Sequence, residues 1–352
     1  MKFHYTFEKE KFANKYDLCS YIGWNNLSYE NLCKTSFIID NNFNDYKFKR
    51  IKNISLTDQA IKRLKELRNK YDFIRFWYSG GKDSQFVLQC AEMSGVTFDE
   101  ILTFVPTFFD NNELKNLSIP EYYTKNNKHK IWKLTPKHYE TFYSQPNWWH
   151  DSKLFDIQAV LEHPSLINFV NPIMQDINIP NNSCDIGGIM HPTIWFDNKW
   201  KFNINEYQGC EALHSQYEHL LLSSESAYVL EAYVNNAIDA LEEQKMIYNL
   251  DKMQELTKNS EKNQNNRRYF RDLIPVFKNM KVNFQYPKRS ESIDIKEPWA
   301  RWNDTIKDKL NLTYCFQNEP SFFKYYCKSD WKKITKMTKF GALLTKEFTL
   351  KT

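Results

Sequence analysis

The chain holds only eight glycines, and two of them sit side by side in Tyr78-Ser79-Gly80-Gly81-Lys82-Asp83-Ser84. Two glycines let a backbone turn tightly and approach a ligand without a Cβ clash. A helix starting just after them would present unpaired N–H groups and the positive end of its dipole. Together these features form an anion cradle for phosphate or pyrophosphate. Ser79 and Ser84 add hydroxyl donors, and Lys82 adds a positive charge. Asp83 has the hard oxygen that Mg2+ prefers, or it can serve the helix N-terminus.

Other residues have types that could do chemistry. Cys184, His191, Cys210 and His214 suit Zn2+ by type, but C-x6-H…C-x3-H is not a finger spacing. The ordinary role of a free cysteine is that of a small buried hydrophobe. Trp148-Trp149-His150-Asp151 could stack on a base or cover a nucleotide; an aromatic core cluster followed by an Asp N-cap is the favoured reading. Asp185-Ile-Gly-Gly188 carries the second glycine pair, read as a turn in preference to a second anion loop. Two basic segments, 267–289 and 323–339, interleave positive charge with rings, as in Arg267-Arg-Tyr-Phe-Arg271 and Trp331-Lys-Lys333. That combination suits single-stranded nucleic acid; the alternative is a solvated lysine-rich face.

The elements around the glycine loop have the required order. Ser55-Leu-Thr-Asp58 can cap a helix whose apolar positions Ile61, Leu64 and Leu67 repeat at helical spacing. Phe73-Ile-Arg-Phe-Trp-Tyr78 is a nearly continuous apolar run, which predicts a strand buried on both faces. A helix is predicted over 84–94, with Phe86, Val87, Cys90, Ala91 and Met93 on one face and Gly95 as its C′ residue. Strands are predicted at 101–105 and 130–134, which completes a βαβ unit. Further on, 193–196 and 200–204 predict a hairpin around Asp197-Asn198. A long helix is predicted over 225–246, with Leu230, Val234, Ala237, Ile238 and Leu241 as its buried stripe, and others over 151–176, 251–272 and 298–310.

The Ser79–Ser84 motif, SGGKDS, resembles the signature of the PP-loop ATP pyrophosphatases, and its spelling is closest to the phosphoadenosine-phosphosulfate reductase-like branch. The resemblance implies an α/β fold: a parallel-sheet adenine nucleotide alpha hydrolase-like domain, with a mainly helical region following it. It implies ATP with Mg2+ bound at the strand ends, scission between the α- and β-phosphates, and adenylation of a substrate oxygen for nitrogen or sulfur transfer. Ser79, Gly80, Gly81, Lys82, Asp83 and Ser84 would hold the pyrophosphate end, with Lys82, Asp83 and Ser84 as the catalytic set. Val105 and Thr107 would lie near the adenosine. A second stretch, Gly209-Cys-Glu-Ala-Leu-His-Ser215, is similar to the branch's Gly-Ile-Arg-Ala-Asp-Glu-Ser, with Gly209 and Ser215 in register and Glu211 at the arginine position. Neither Cys315 nor Cys327 sits in the reductase's cysteine motif. The resemblance therefore points to the fold of the reductases more than to their reaction. A sulfonucleotide reductase and a non-catalytic nucleotide- or nucleic-acid-binding protein stay as alternatives.

Composition bounds the rest. The 352 residues suit two domains, or one with appendages. The expected division is an N-terminal extension over 1–54, a nucleotide-binding α/β domain over 55–220, and a helical, basic region over 221–352. A hydrophobic fraction of 41% permits a sizeable core and excludes a disordered chain. Mean hydropathy is −0.68, and no apolar run approaches the ~18–20 residues of a membrane span. MKFHYTFEKEKF lacks an apolar signal region, and the seven cysteines form no CxxC; both suit a cytoplasmic protein with reduced thiols. The net charge of +5 is uneven: 251–290 and 324–351 each carry +6, which leaves −7 elsewhere.

Overall fold

A computed structural model describes residues 4–12, 18, 21, 35–38, 41–78, 82–106, 128–134, 180–187, 192–204, 217–218, 224–249, 252, 274–278 and 346–351. The strands are β1 His4–Phe7, β2 Glu10–Phe12, β3 Thr35–Ile38, β4 Phe73–Trp77, β5 Glu100–Pro106, β6 Lys128–Leu134, β7 Ser183–Ile186, β8 Thr193–Asp197, β9 Lys199–Asn203, β10 Tyr217–Glu218 and β11 Phe348–Thr349. The helices are α1 Asn41–Asp45, α2 Leu56–Lys70, α3 Lys82–Ser94, α4 Ala227–Glu243 and α5 Pro275–Lys278. The helices predicted over 151–176 and 298–310 lie outside the described residues, as does nearly all of 251–272. Trp148–Asp151 lies outside them too.

The central element is a five-stranded sheet in the order β10-β7-β4-β5-β6, in which each pairing is parallel. The chain therefore has α/β character, as the motif order predicts. β4 lies in the middle of the sheet and is buried on both faces: Ile74 and Phe76 fill one face, and Arg75 is buried on the other. Ile74, Phe76 and Tyr78 share one face of the strand, where Phe76 stacks on Phe98 at 4.9 Å and the Tyr78 hydroxyl reaches Gln85 of α3. Arg75 points to the opposite face, as strand alternation requires.

α2 starts where the capping pattern predicts: the Ser55 hydroxyl accepts the Asp58 N–H at 3.1 Å. Its buried face is Leu56, Ala60, Arg63, Leu64 and Leu67, with Ile61 only half-buried. Each fully buried leucine contributes roughly 2 kcal/mol by burial. α3 buries Phe86, Val87, Leu88, Cys90 and Ala91, and Gly95 ends it at φ +70°. Met93 is exposed, contrary to its place in the predicted stripe; beyond Gly95 the chain turns Val96 and Phe98 into the core at that end.

α4 buries all five residues of its predicted stripe, together with Tyr233, Glu231 and Asn235. The polar ones are buried because residues 49–54 lie along the helix and give them partners. The Lys49 N–H donates to Glu231 at 2.6 Å, and the Ile51 N–H donates to Asn235 at 2.9 Å. Asn235 and Asn236 donate in turn to the carbonyls of Lys49 and Ile54. Arg50 reaches Asp239 and Glu242 at 2.5 and 3.0 Å.

The predicted hairpin is β8–β9, with Asn198 at φ 56° in its turn. β11 pairs with β9, so the region after 221 contains a strand as well as helices. Phe348 meets Phe43, Phe48 and Phe202 at ring separations of 5.2–5.8 Å. Within the first fifty residues, in which no periodicity is legible, the described strands His4–Phe7, Glu10–Phe12 and Thr35–Ile38 form the antiparallel sheet β2-β1-β3. Among the described residues, no helix is long and apolar enough to cross a membrane.

Candidate nucleotide site

Within the parallel sheet the chain runs β4, β5, β6 outward on one side, then returns to β7 and β10 on the other. The direction of winding reverses between β4 and β7. In open α/β sheets, ligands bind in the crevice outside the carboxyl ends of the strands at this reversal. Phe76 of β4 pairs with Ile186 of β7, so both strands end at the same edge. The chain leaves β4 through Tyr78 into residues 79–81, and leaves β7 through Gly187. The two glycine pairs of the sequence thus follow neighbouring strands at the same edge. The second pair follows directly on a strand, Ser183–Ile186, so Asp185 and Ile186 are extended where the sequence predicts a turn.

α3 begins at Lys82, so its N-terminus lies at that carboxyl edge. Lys82 and Asp83 are half-buried and Ser84 is buried. Asp83 occupies the first turn, where a carboxylate is favoured by the helix dipole. Lysine charge, first-turn N–H groups and a hydroxyl can together hold an anion. The carboxylate is the kind of oxygen that a divalent ion bridging to a phosphate takes.

Tyr78 joins strand to loop, and it is held at three points. Its N–H donates to the Leu102 carbonyl at 2.9 Å. Its carbonyl accepts from the Thr103 hydroxyl at 2.8 Å. Its own hydroxyl donates to the Gln85 side-chain oxygen, in the first turns of α3, at 3.1 Å. Burial pushes the Tyr78 phenol up to about 12, so it remains a donor. Thr103 Oγ1 also lies 3.0 Å from His129 Nε2. The single Thr103 proton goes to the Tyr78 carbonyl, so Nε2 carries the imidazole proton and donates. Burial pushes His129 down to about 4, which keeps the ring neutral. None of Gln85, Thr103 and His129 carries a motif; they are brought to Tyr78 by strand register and by the first turns of α3.

The opposite face of the sheet carries a charged row. Arg75 lies between Glu100 of β5 and Asp185 of β7, all three buried, and Lys130 of β6 reaches Glu100 from outside. Burial pushes the Glu100 carboxyl up, but Lys130 and Arg75 outweigh it and hold the group below its ordinary range.

The remaining candidates separate. Val105 lies near the carboxyl end of β5, paired with Lys133. Ser79, Gly80, Gly81, Thr107, Gly209 and Ser215 lie outside the described residues. Of the cysteine–histidine set, Cys184 is fully buried in β7, while His191, Cys210 and His214 lie outside. Among the described residues, no group of three or more His, Cys, Asp and Glu could hold a metal ion. Segment 323–339 lies outside, as does 267–289 except for 274–278. There, Ile274 and Phe277 are core residues: Phe277 packs on Phe86 of α3 at 5.1 Å and on Tyr233 of α4 at 6.2 Å. No family model matches the chain, and no curated protein matches it.

Proposed function

We propose that the chain is an ATP-dependent enzyme of the PP-loop pyrophosphatase type, working in the cytoplasm. The observation that carries this reading is the position of α3: it starts one residue after Gly80-Gly81, at the carboxyl edge of the central strand, beside the point where the sheet reverses. Ser79, the two glycines, Lys82 and Ser84 hold the β- and γ-phosphates of ATP, and Val105 and Thr107 approach the adenosine. Asp83 is the residue suited to Mg2+, which supplies charge neutralisation on the phosphates when bound. A substrate oxygen attacks the α-phosphorus, the bond to the β-phosphate oxygen breaks, and pyrophosphate leaves. A nitrogen or sulfur nucleophile then displaces AMP from the adenylated carbon. The protein's part is mostly positioning and charge stabilisation. A nucleic acid base or a nucleotide-like metabolite is the acceptor, with the basic aromatic segments 267–289 and 323–339 as its contact region.

The test is calorimetric binding of Mg-ATP, followed by pyrophosphate release against a panel of RNA, DNA and small metabolites. Lys82→Ala should weaken ATP binding by about 10- to 100-fold, the weight of one charge-assisted hydrogen bond. Absence of ATP binding by the wild-type chain, or equal binding by Lys82→Ala and Asp83→Ala, refutes the reading. Binding without pyrophosphate release on any acceptor would leave a nucleotide-binding protein.

A further inference from the structure

We infer that Tyr78, Gln85 and Thr103 are positioning residues for phosphate binding: a buckle that fastens the two ends of the glycine loop and shapes it before a ligand arrives. The inference rests on the proposed nucleotide site. Only residues 79–81 separate Tyr78 from the start of α3, and two of them are glycine. Glycines give the turn its reach, but they also give it the greatest conformational freedom to lose. A loop of that composition is preorganised only if its ends are fixed from outside.

The three side chains do this from two directions. The β4–β5 register ends at Trp77 and Leu102. Beyond it, the Thr103 hydroxyl takes the Tyr78 carbonyl at 2.8 Å and extends the ladder by one residue, up to the first atoms of the loop. His129 donates to the same hydroxyl and sets the direction in which its proton points. On the far side of the loop, Gln85 takes the Tyr78 hydroxyl at 3.1 Å and ties the outgoing helix to the incoming strand. Tyr78, Gln85 and Thr103 are all buried. An apolar pair could fill the same space without desolvating a hydroxyl and an amide. A buried polar pair that is satisfied adds direction, which packing alone lacks.

The experiment uses the full chain with Mg-ATP and inorganic pyrophosphate as probes, and records binding and thermal unfolding for each variant. Tyr78→Phe and Gln85→Met each leave one buried polar group without its partner and should lower Tm. The double variant replaces both partners by apolar groups and should recover most of that loss. Binding of both probes should weaken about tenfold in each single variant and remain weak in the double, the weight of one well-placed hydrogen bond. Thr103→Val should weaken binding similarly, and Thr103→Ser should restore it. If binding recovers together with Tm in the double variant, or if all variants bind like the wild type, the buckle is merely structural and the inference is overturned. If the wild-type chain binds neither probe, the site reading and this inference fall together.

Discussion

Replacing Arg75 by methionine tests the charged row that crosses the sheet. The guanidinium is only 3% exposed and lies between Glu100 and Asp185 on the two neighbouring strands. Methionine keeps much of the apolar stem and removes the charge. Asp185 then loses its guanidinium, and Glu100 keeps only Lys130, which is more than half exposed. Breaking a buried ion pair from one side costs about 3–5 kcal/mol, because the remaining charges stay desolvated. That is a large share of the ~5–15 kcal/mol that holds a domain together. The measurement is urea unfolding followed by fluorescence, with the midpoint compared at equal slope. The expected midpoint shift corresponds to a loss of about 3 kcal/mol near neutral pH. The sign of its pH dependence also follows. In the wild type, the Glu100 carboxyl is held below its ordinary range, so its stabilisation is present at neutral pH and fades as pH falls through the carboxylate range. In the variant the Glu100 carboxyl loses one of the two cations that hold it down while its burial remains, so it titrates higher and acid relieves it. The gap between the proteins should therefore narrow from about pH 7.5 to about pH 5. A loss under about 1 kcal/mol, or a gap that does not change with pH, would refute the claim that these charges depend on one another.

Three further outcomes follow from other parts of the fold. Burial pushes His129 from 6.5 down to about 4, so the unfolded chain takes up a proton in that window while the folded one does not. Stability should fall as pH falls from about 6.5 to about 4, by roughly 1.5 kcal/mol once the ring's partial exposure is allowed for. His129→Gln should flatten that acid limb in urea titrations, while His4, also pushed down by burial and Lys11, contributes equally to both proteins; an unchanged limb would contradict the assignment. Deleting residues 346–352 removes Phe348 from its three aromatic neighbours and Leu350 from the core, and should cost at least about 3–5 kcal/mol in chemical unfolding. Gly95→Ala should cost only about 1 kcal/mol of stability, because the residue sits at φ +70° but no atom lies within 4 Å of the added Cβ. A much larger fall in Tm would mean that the turn is packed more tightly than this.

The parts of the fold legible in the sequence are those whose signals are local. Ser55 caps its helix through a hydroxyl three residues from its partner, Gly95 supplies the left-handed stop, and Asn198 supplies the hairpin turn. The strand–glycine–helix order is local too, so the position of Lys82, Asp83 and Ser84 at a helix start is readable from the chain alone. β7 is not readable in this way. Its four residues include Asp185, a poor strand former that is buried because Arg75 meets it from another strand. β11 is shorter still, with two residues, and depends on β9 for its pairing. Met93 matches the helical period but is exposed, since periodicity says which side a residue faces and not whether anything covers it. The loop's supports have the same character. Tyr78 reads as the apolar end of a strand, and its hydroxyl acquires a role only through Gln85, while Thr103 and His129 come from two further strands.

The pairing of residues 48–50 with Lys351 constrains the order of biosynthesis. Lys351 donates to the Phe48 carbonyl at 2.9 Å, and its own carbonyl accepts from Arg50 at 2.8 Å. The segment that Lys351 grips is the one that lies along α4 and satisfies its buried Glu231 and Asn235. During translation, residues 46–54 emerge well before Lys351, and this side of them must wait until Lys351 has been made. The βαβ unit can form while synthesis continues, because its contacts are close in sequence. The aromatic cluster of Phe43, Phe48 and Phe202 stays open to water until Phe348 arrives. That interval is when the nascent chain is most exposed to holdase chaperones and to aggregation.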